Sequence, residues 1–149
     1  MADLRLTSDF QVPSREIFVF FVPQRMPLWY GAEMDCRFEV QDGAAEFRVG
    51  QKVRITGVLR TREVILTVVI TAYEWERLLE WQFQDMYGVR GKQRWELQPL
   101  AGTTRLTMSD QYTMPGRMGR ILDRILTRRA VAMRDRRWLE RLKQLAERR

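Results

Sequence analysis

The hydrophobic period of this chain changes once, at Pro115, and that change restricts the fold more than any other feature. Before it, apolar and polar residues alternate. Leu4, Leu6, Ser8, Phe10 and Val12 are interleaved with Arg5, Thr7, Asp9 and Gln11, the pattern of a strand with one buried face. Leu79, Trp81 and Phe83 alternate with Glu80, Gln82 and Gln84, and Trp95 and Leu97 with Arg94 and Glu96. Leu106, Met108, Asp110, Tyr112 and Met114 share one face of a last strand. From Pro115 onward the period is helical, Pro115 suits a first helical turn, and no breaker follows Gly119. Some 30 residues of helix would reach about 45 Å.

The segments between are punctuated by Pro and Gly. Pro13-Ser14-Arg15-Glu16 closes the first strand and opens a short helix, and Pro23 and Pro27 interrupt the chain beyond it so that a second short helix ends near Trp29-Tyr30-Gly31. Met34, Cys36, Phe38 and Val40 predict a strand that turns at Gln41-Asp42-Gly43. Ala45 to Val49, then Val53, Ile55 and Leu59, predict one or two more. Val64 to Ile70 is apolar on both faces and belongs centrally in a sheet. Gly88 and Gly91 mark a hairpin, and Pro99 to Gly102 another turn. No repeat or linker divides the chain. The expectation is a single α+β domain over 1–149: strand, two short helices, about six antiparallel strands, and one long helix.

Composition then excludes chemistry. In 149 residues with 45% hydrophobic content there is no His, no Asn and one Cys. Ser-His-Asp and Cys-His sites are thereby removed, and so are the preferred ligands of a transition metal. No phosphate-binding glycine loop is present. Neither a metal nor a cofactor is expected, and any catalysis must run on Asp, Glu, Tyr, Arg, Cys or bound water. Cys36 cannot form an internal disulfide, Met1 to Arg5 leads into charged alternating sequence, and no apolar run reaches ~18 residues. A cytoplasmic setting is the expectation. Cys36 reads as a small buried hydrophobe, with nothing near it in sequence to activate a thiolate.

One helix laid over a curved sheet of this width leaves space between them, an expected cavity within the ~300–1,000 Å³ of typical ligand sites. At 100° per residue Met118, Leu122, Ile125, Ala132 and Met133 form a helix stripe, extended by Ile121 and Leu139. The expected lining is Met34, Trp81, Phe83, Trp95, Met108, Tyr112, Met114, Met118 and Leu122, rich in adaptable Met and flat aromatics. Polar residues on the inward parity are sharper signals. Asp85 continues the Leu79–Phe83 face, Gln93 precedes Trp95, Asp110 lies between Met108 and Tyr112, and Arg129 and Arg136 fall near the helix stripe. A buried charge needs a partner. Asp110, Asp85 and Tyr112 are the candidate acid/base groups, and Arg129 is a candidate to orient a ligand carboxylate or enolate. The same residues also read as Asp–Arg ion pairs or as strand ends in water.

Charge is uneven along the chain. Residues 115–149 hold twelve basic side chains against four acidic ones, and residues 1–114 fourteen against fifteen, so the whole excess of +7 lies in the C-terminal segment. No helix-turn-helix, zinc finger or RNA-binding motif accompanies it, which argues against nucleic acid. An ordinary solvated helix face accounts for the charge, and Arg117, Arg120, Arg124 and Arg128 also suit peripheral contact with an anionic membrane. The sequence leaves the oligomeric state open, a dimer included.

The strand from Leu4 to Val12 followed by Pro13-Ser14-Arg15-Glu16-Ile17-Phe18, the strand Gly91 to Leu97, and Gly102 to Thr107 ahead of Pro115-Gly116 and an Arg-rich helix ending Leu139 to Lys143 resemble the START-like (SRPBCC) superfamily. The likeness is to its polyketide cyclase/dehydrase and lipid-transport branch and covers nearly the whole chain. It implies a helix-grip fold, a seven-stranded curved antiparallel sheet around a long C-terminal helix, with a hydrophobic ligand pocket between. The superfamily shares a pocket and no fixed catalytic motif, so the resemblance assigns no catalytic residue. Two functions follow as expectations: binding or transport of a hydrophobic small molecule such as a lipid, isoprenoid or polyketide, or a cyclase/dehydrase-type enzyme using Asp110, Asp85, Tyr112 and Arg129.

Overall fold

Seven strands form one antiparallel sheet in the order β1-β7-β6-β5-β4-β3-β2. The computed structural model describes residues 2–117 and 127–148. β1 (Ala2–Phe10) is followed by α1 (Ser14–Phe18) and two single-turn 3₁₀ segments, Met26–Leu28 and Ala32–Met34. Then come β2 (Arg37–Val40), β3 (Lys52–Leu59), β4 (Arg62–Glu74), β5 (Leu78–Asp85), β6 (Arg90–Leu100), β7 (Thr103–Thr113) and α2 (Arg128–Glu147). β2 to β7 run as a meander, and β1 closes onto β7 in a register from Ala2 opposite Tyr112 to Phe10 opposite Thr104. This is the helix-grip arrangement.

The alternation read from the sequence decides which face each strand buries. Leu79, Trp81, Gln93, Trp95, Leu97, Leu106, Met108, Asp110 and Tyr112 all lie inside. A β-bulge between Ile70 and Ala72 shifts the β4–β5 register, which bends β4 and helps the sheet curve. Gly91 of β6 stands opposite Tyr112 so closely that a Cβ there would fall inside the Gln111 carbonyl. Strand contact, rather than the hairpin turn, requires that glycine.

Three local expectations are corrected. The strand predicted from Met34 begins only at Arg37, because Asp35 sits in the left-handed region at φ 51° after the Ala32–Met34 turn. Residues 45–49 form no strand, although Phe47 is buried in the core. The second short helix is reduced to the 3₁₀ turn Met26–Leu28, with Pro27 in its first positions.

Helix α2 is phased differently from the predicted stripe. Its buried residues are Asp135, Trp138, Leu139, Leu142 and Ala146, while Met133 is 49% exposed. Counting only apolar side chains moved the stripe off Arg134 and Asp135, which lie on the buried face. Met118, Ile121, Leu122 and Ile125 fall outside the described residues.

Nor does the helix cover the sheet alone. The link between β1 and β2 joins opposite sheet edges, and it carries Ile17, Phe18, Phe21, Met26, Trp29 and Tyr30 into the core. Trp29, Trp81 and Trp95 are fully buried, with ring centroids 4.9 Å apart for Trp81–Trp95 and 5.9 Å for Trp29–Trp95. Truncating one such ring in a packed core costs about 3–5 kcal/mol. The interior around these rings is therefore solid. Trp81, Trp95 and Met108, expected to line a cavity, belong to this packed part. Met108 is only 1% exposed.

Candidate functional site

Beside this packed part the interior is open. A cavity of about 240 Å³ lies between the concave sheet and the N-terminal part of α2. Its apolar wall includes Ile55 and Gly57 of β3, Val64 and Leu66 of β4, Phe83 of β5, and Met34, Cys36 and Met114. Burial pushes the Cys36 thiol up to about 11, so it stays protonated and unreactive at neutral pH.

A polar floor faces that wall, drawn from four elements. Asp110 comes from β7, Gln93 from β6, Tyr30 from the aromatic link, and Arg134 from α2. Gln93 Oε1 accepts from Tyr30 Oη at 2.7 Å and from Trp81 Nε1 at 2.9 Å. Gln93 Nε2 donates to Asp110 Oδ2 at 3.4 Å. Arg134 Nη2 reaches the same Asp110 oxygen at 3.2 Å and Asp135 Oδ1 at 3.1 Å, and Arg134 Nε donates to Asp135 Oδ1 at 3.2 Å. The guanidinium also lies over the Trp138 ring, 4.5 Å from its centroid, a cation–π contact. Trp138 Nε1 in turn donates to Glu33 Oε2 at 3.0 Å.

Two acids thus surround one base. Burial pushes the Asp135 carboxyl up to about 9, reinforced by a hydrogen bond with Asp110 and only partly opposed by Arg134. Burial works against the Arg134 charge, yet Asp135 and Asp110 outweigh it and raise its pKa. Burial drives Tyr30 well above the usual phenol range. At neutral pH Tyr30 of the floor is neutral, Arg134 is charged, and Asp135, bonded to Arg134 from outside the lining, is protonated.

Among the residues expected at a site, Met34, Phe83, Asp85, Gln93, Asp110, Tyr112 and Met114 line the cavity. Asp85 is occupied in shaping its hairpin: Oδ1 accepts from the backbone N–H of Tyr87 at 2.8 Å and of Val89 at 2.9 Å. Tyr112 is buried beside Asp110 on the same strand face. Arg129 and Arg136 are corrected, since both are exposed. Met118 and Leu122 lie outside the described residues. Tyr30, Arg134 and Asp135 were missed. A helix stripe phased on Trp138 and Leu142 would have found the last two, being three and four residues before Trp138.

The chain matches the family described as polyketide cyclase / dehydrase and lipid transport over residues 1–147. It belongs to that family. A START-like fold follows from that membership, and solved structures of other proteins share the fold. A Mesorhizobium loti protein, MLL2253, is 16% identical with a TM-score of 0.75, covering 99% of this chain and 98% of its own. An Arthrobacter aurescens protein is 17% identical with a TM-score of 0.75, covering 97% and 85%. DynU16, from the dynemicin biosynthetic locus, is 19% identical with a TM-score of 0.71; the match covers 98% of this chain and 47% of DynU16, about half its length. At these identities the likeness is one of fold. No curated protein matches the chain by sequence. Among the described residues no helix is long and apolar enough to cross a membrane.

Proposed function

We propose that this polyketide cyclase/lipid-transport family member binds a small, mostly apolar molecule in the cavity between sheet and helix, its polar end on the Arg134–Asp110 floor. The observation that supports this is the division of the cavity into an apolar wall of Ile55, Leu66, Phe83 and Met114 and a hydrogen-bonded floor. Its volume of about 240 Å³ sets a size limit. A dry cavity of about 150 Å³ takes benzene, so this one suits a two-ring molecule or a short chain rather than a diacyl lipid. Ligand at 100-fold its Kd should stabilise the protein by about 2.7 kcal/mol. Native mass spectrometry and thermal shift with two-ring and ten-carbon compounds test the reading. Loss of the shift in Val64→Phe, which fills the wall, is expected. A panel that moves neither wild type nor variant refutes it.

A second reading, enzymatic, is favoured by one observation: Arg134 and Asp110 line the apolar cavity, and Arg134 is bonded to both Asp110 and the buried Asp135. Such a pair of acids is suited to passing a proton to or from a carbonyl compound. Turnover lost in Asp110→Asn while binding persists would support it.

A route of entry accompanies either reading. The β3–β4 tip exposes Val58 and Leu59, and the β5–β6 tip exposes Met86 and Tyr87. Both tips lie within two residues of cavity-lining positions, Gly57 on one hairpin and Asp85 and Val89 on the other. Arg60, Arg62 and Arg90 flank them. Apolar tips with cations beside them suit loading from an anionic membrane surface.

A further inference from the structure

From the residues of the cavity floor we infer that the cavity selects an uncharged oxygen acceptor, a ketone, aldehyde or ester carbonyl, and discriminates against a free carboxylate of the same size. This rests on the proposed binding of a small apolar molecule and adds the chemistry of its polar end.

An arginine at the floor of a cavity would by itself suggest an anionic ligand, because a guanidinium fork matches a carboxylate. Here the fork is already engaged. Nη2 and Nε of Arg134 are bonded to Asp110 and Asp135. Asp110 and Asp135 are each only 1% exposed. Each also has one buried oxygen, Asp110 Oδ1 and Asp135 Oδ2, that accepts no hydrogen bond among the described residues. The one guanidinium thus faces two carboxyl groups, and burial pushes the Asp135 carboxyl up to about 9, so it keeps its proton at neutral pH. The guanidinium charge is already taken up within this cluster.

A ligand carboxylate would therefore enter beside the buried Asp110 with no unpaired positive charge to receive it. It enters only if a proton comes with it. A carbonyl oxygen carries no such cost and accepts from Arg134 Nη1, which the bonds to Asp110 and Asp135 do not use. A ligand donor is served less well, because Gln93 Oε1 already accepts from both Tyr30 and Trp81. The floor is set for an acceptor.

Calorimetric titration of the full chain at pH 7 with 2-acetylnaphthalene, 2-naphthoate and naphthalene separates the possibilities. The ketone is expected to bind at least roughly tenfold more tightly than the carboxylate. Naphthoate, where it binds, should take up a proton, seen as a heat that changes between buffers of different ionisation enthalpy. Asp110→Asn should narrow or reverse the preference. Naphthoate binding as tightly as the ketone, or without proton uptake, overturns the inference and leaves the apolar cavity standing. The same holds if naphthalene binds and the ketone shows no advantage over the carboxylate. Failure of all three compounds to bind removes the binding reading and this inference with it. Should Asp110→Asn not fold, proton uptake by the wild type decides alone.

Discussion

Arg134 of α2 and Asp110 of β7 meet at 3.2 Å across the sheet–helix interface, and this contact both ties the helix to the sheet and forms the cavity floor. Removing the guanidinium leaves two acids facing each other in a buried site. Breaking a fully buried pair costs about 3–5 kcal/mol; because the Arg134 side chain is 38% exposed, Arg134→Met should cost less, about 2–3 kcal/mol. Adding Asp110→Asn should restore part of the loss. A double-mutant cycle in urea measures both steps, and additive single effects would refute the pairing.

Asp135 should leave a signature in the pH dependence of stability. Its carboxyl lies near 3.8 when unfolded and is pushed up to about 9 in the fold. Between those values the native state holds a proton that the unfolded chain has released, so this group's contribution falls as pH rises, by up to about 1.4 kcal/mol per unit. The groups facing it are Arg134 on its own helix, Asp110 on β7 and Tyr30 on the link. Asp135→Asn removes the titration and retains the shape. Its stability relative to wild type should therefore improve steadily from pH 5 to pH 8 in urea melts. A constant difference across that range would mean that Asp135 keeps no proton in the fold.

The two buried tryptophans of β5 and β6 differ in one hydrogen bond. Trp81 Nε1 donates to Gln93, whereas Trp95 Nε1 is buried with no partner among the described residues. Replacement by Phe removes similar area from both, but at position 95 it also removes an unsatisfied donor. Trp81→Phe should thus be the more destabilising by about 1–2 kcal/mol. Equal losses in denaturant would show that the Gln93 bond contributes nothing net.

The strands were legible because one face of this sheet is buried, and burial writes a period of two into Leu79–Phe83 and Leu106–Met114. Inward polar positions were legible for the same reason: Asp110 and Gln93 break that apolar parity and both reach the cavity. The helix was harder. Arg134 bonds its neighbour Asp135 and reaches Asp110 across the interface, so both sit on the buried face while a hydrophobicity count assigns them to solvent. The aromatic link was harder still. Its residues have no period, since a segment held by Pro23, Pro27 and Gly31 buries side chains by where the chain turns. The link buries Phe18, Phe21, Met26 and Trp29 between sheet and helix, and the cavity that remains measures about 240 Å³.

The exposed tips make loading at a membrane separable from ordinary solubility. Leu59 is 49% and Tyr87 56% exposed, on adjacent hairpins at the cavity end of the sheet. Insertion of such side chains supplies binding in proportion to apolar area, and the neighbouring arginines add about 1 kcal/mol each near an anionic surface at low salt. Co-sedimentation with phosphatidylserine-containing vesicles should therefore fall with added salt, as screening predicts, and fall further in Leu59→Glu/Tyr87→Glu. Both substitutions lie at exposed tips, outside the cavity, so the naphthalene-sized probes should bind the double variant as they bind wild type. If vesicle binding survives the double substitution, the tips are not the contact. If it is absent from wild type at low salt, the cations serve solubility alone and the ligand enters from water.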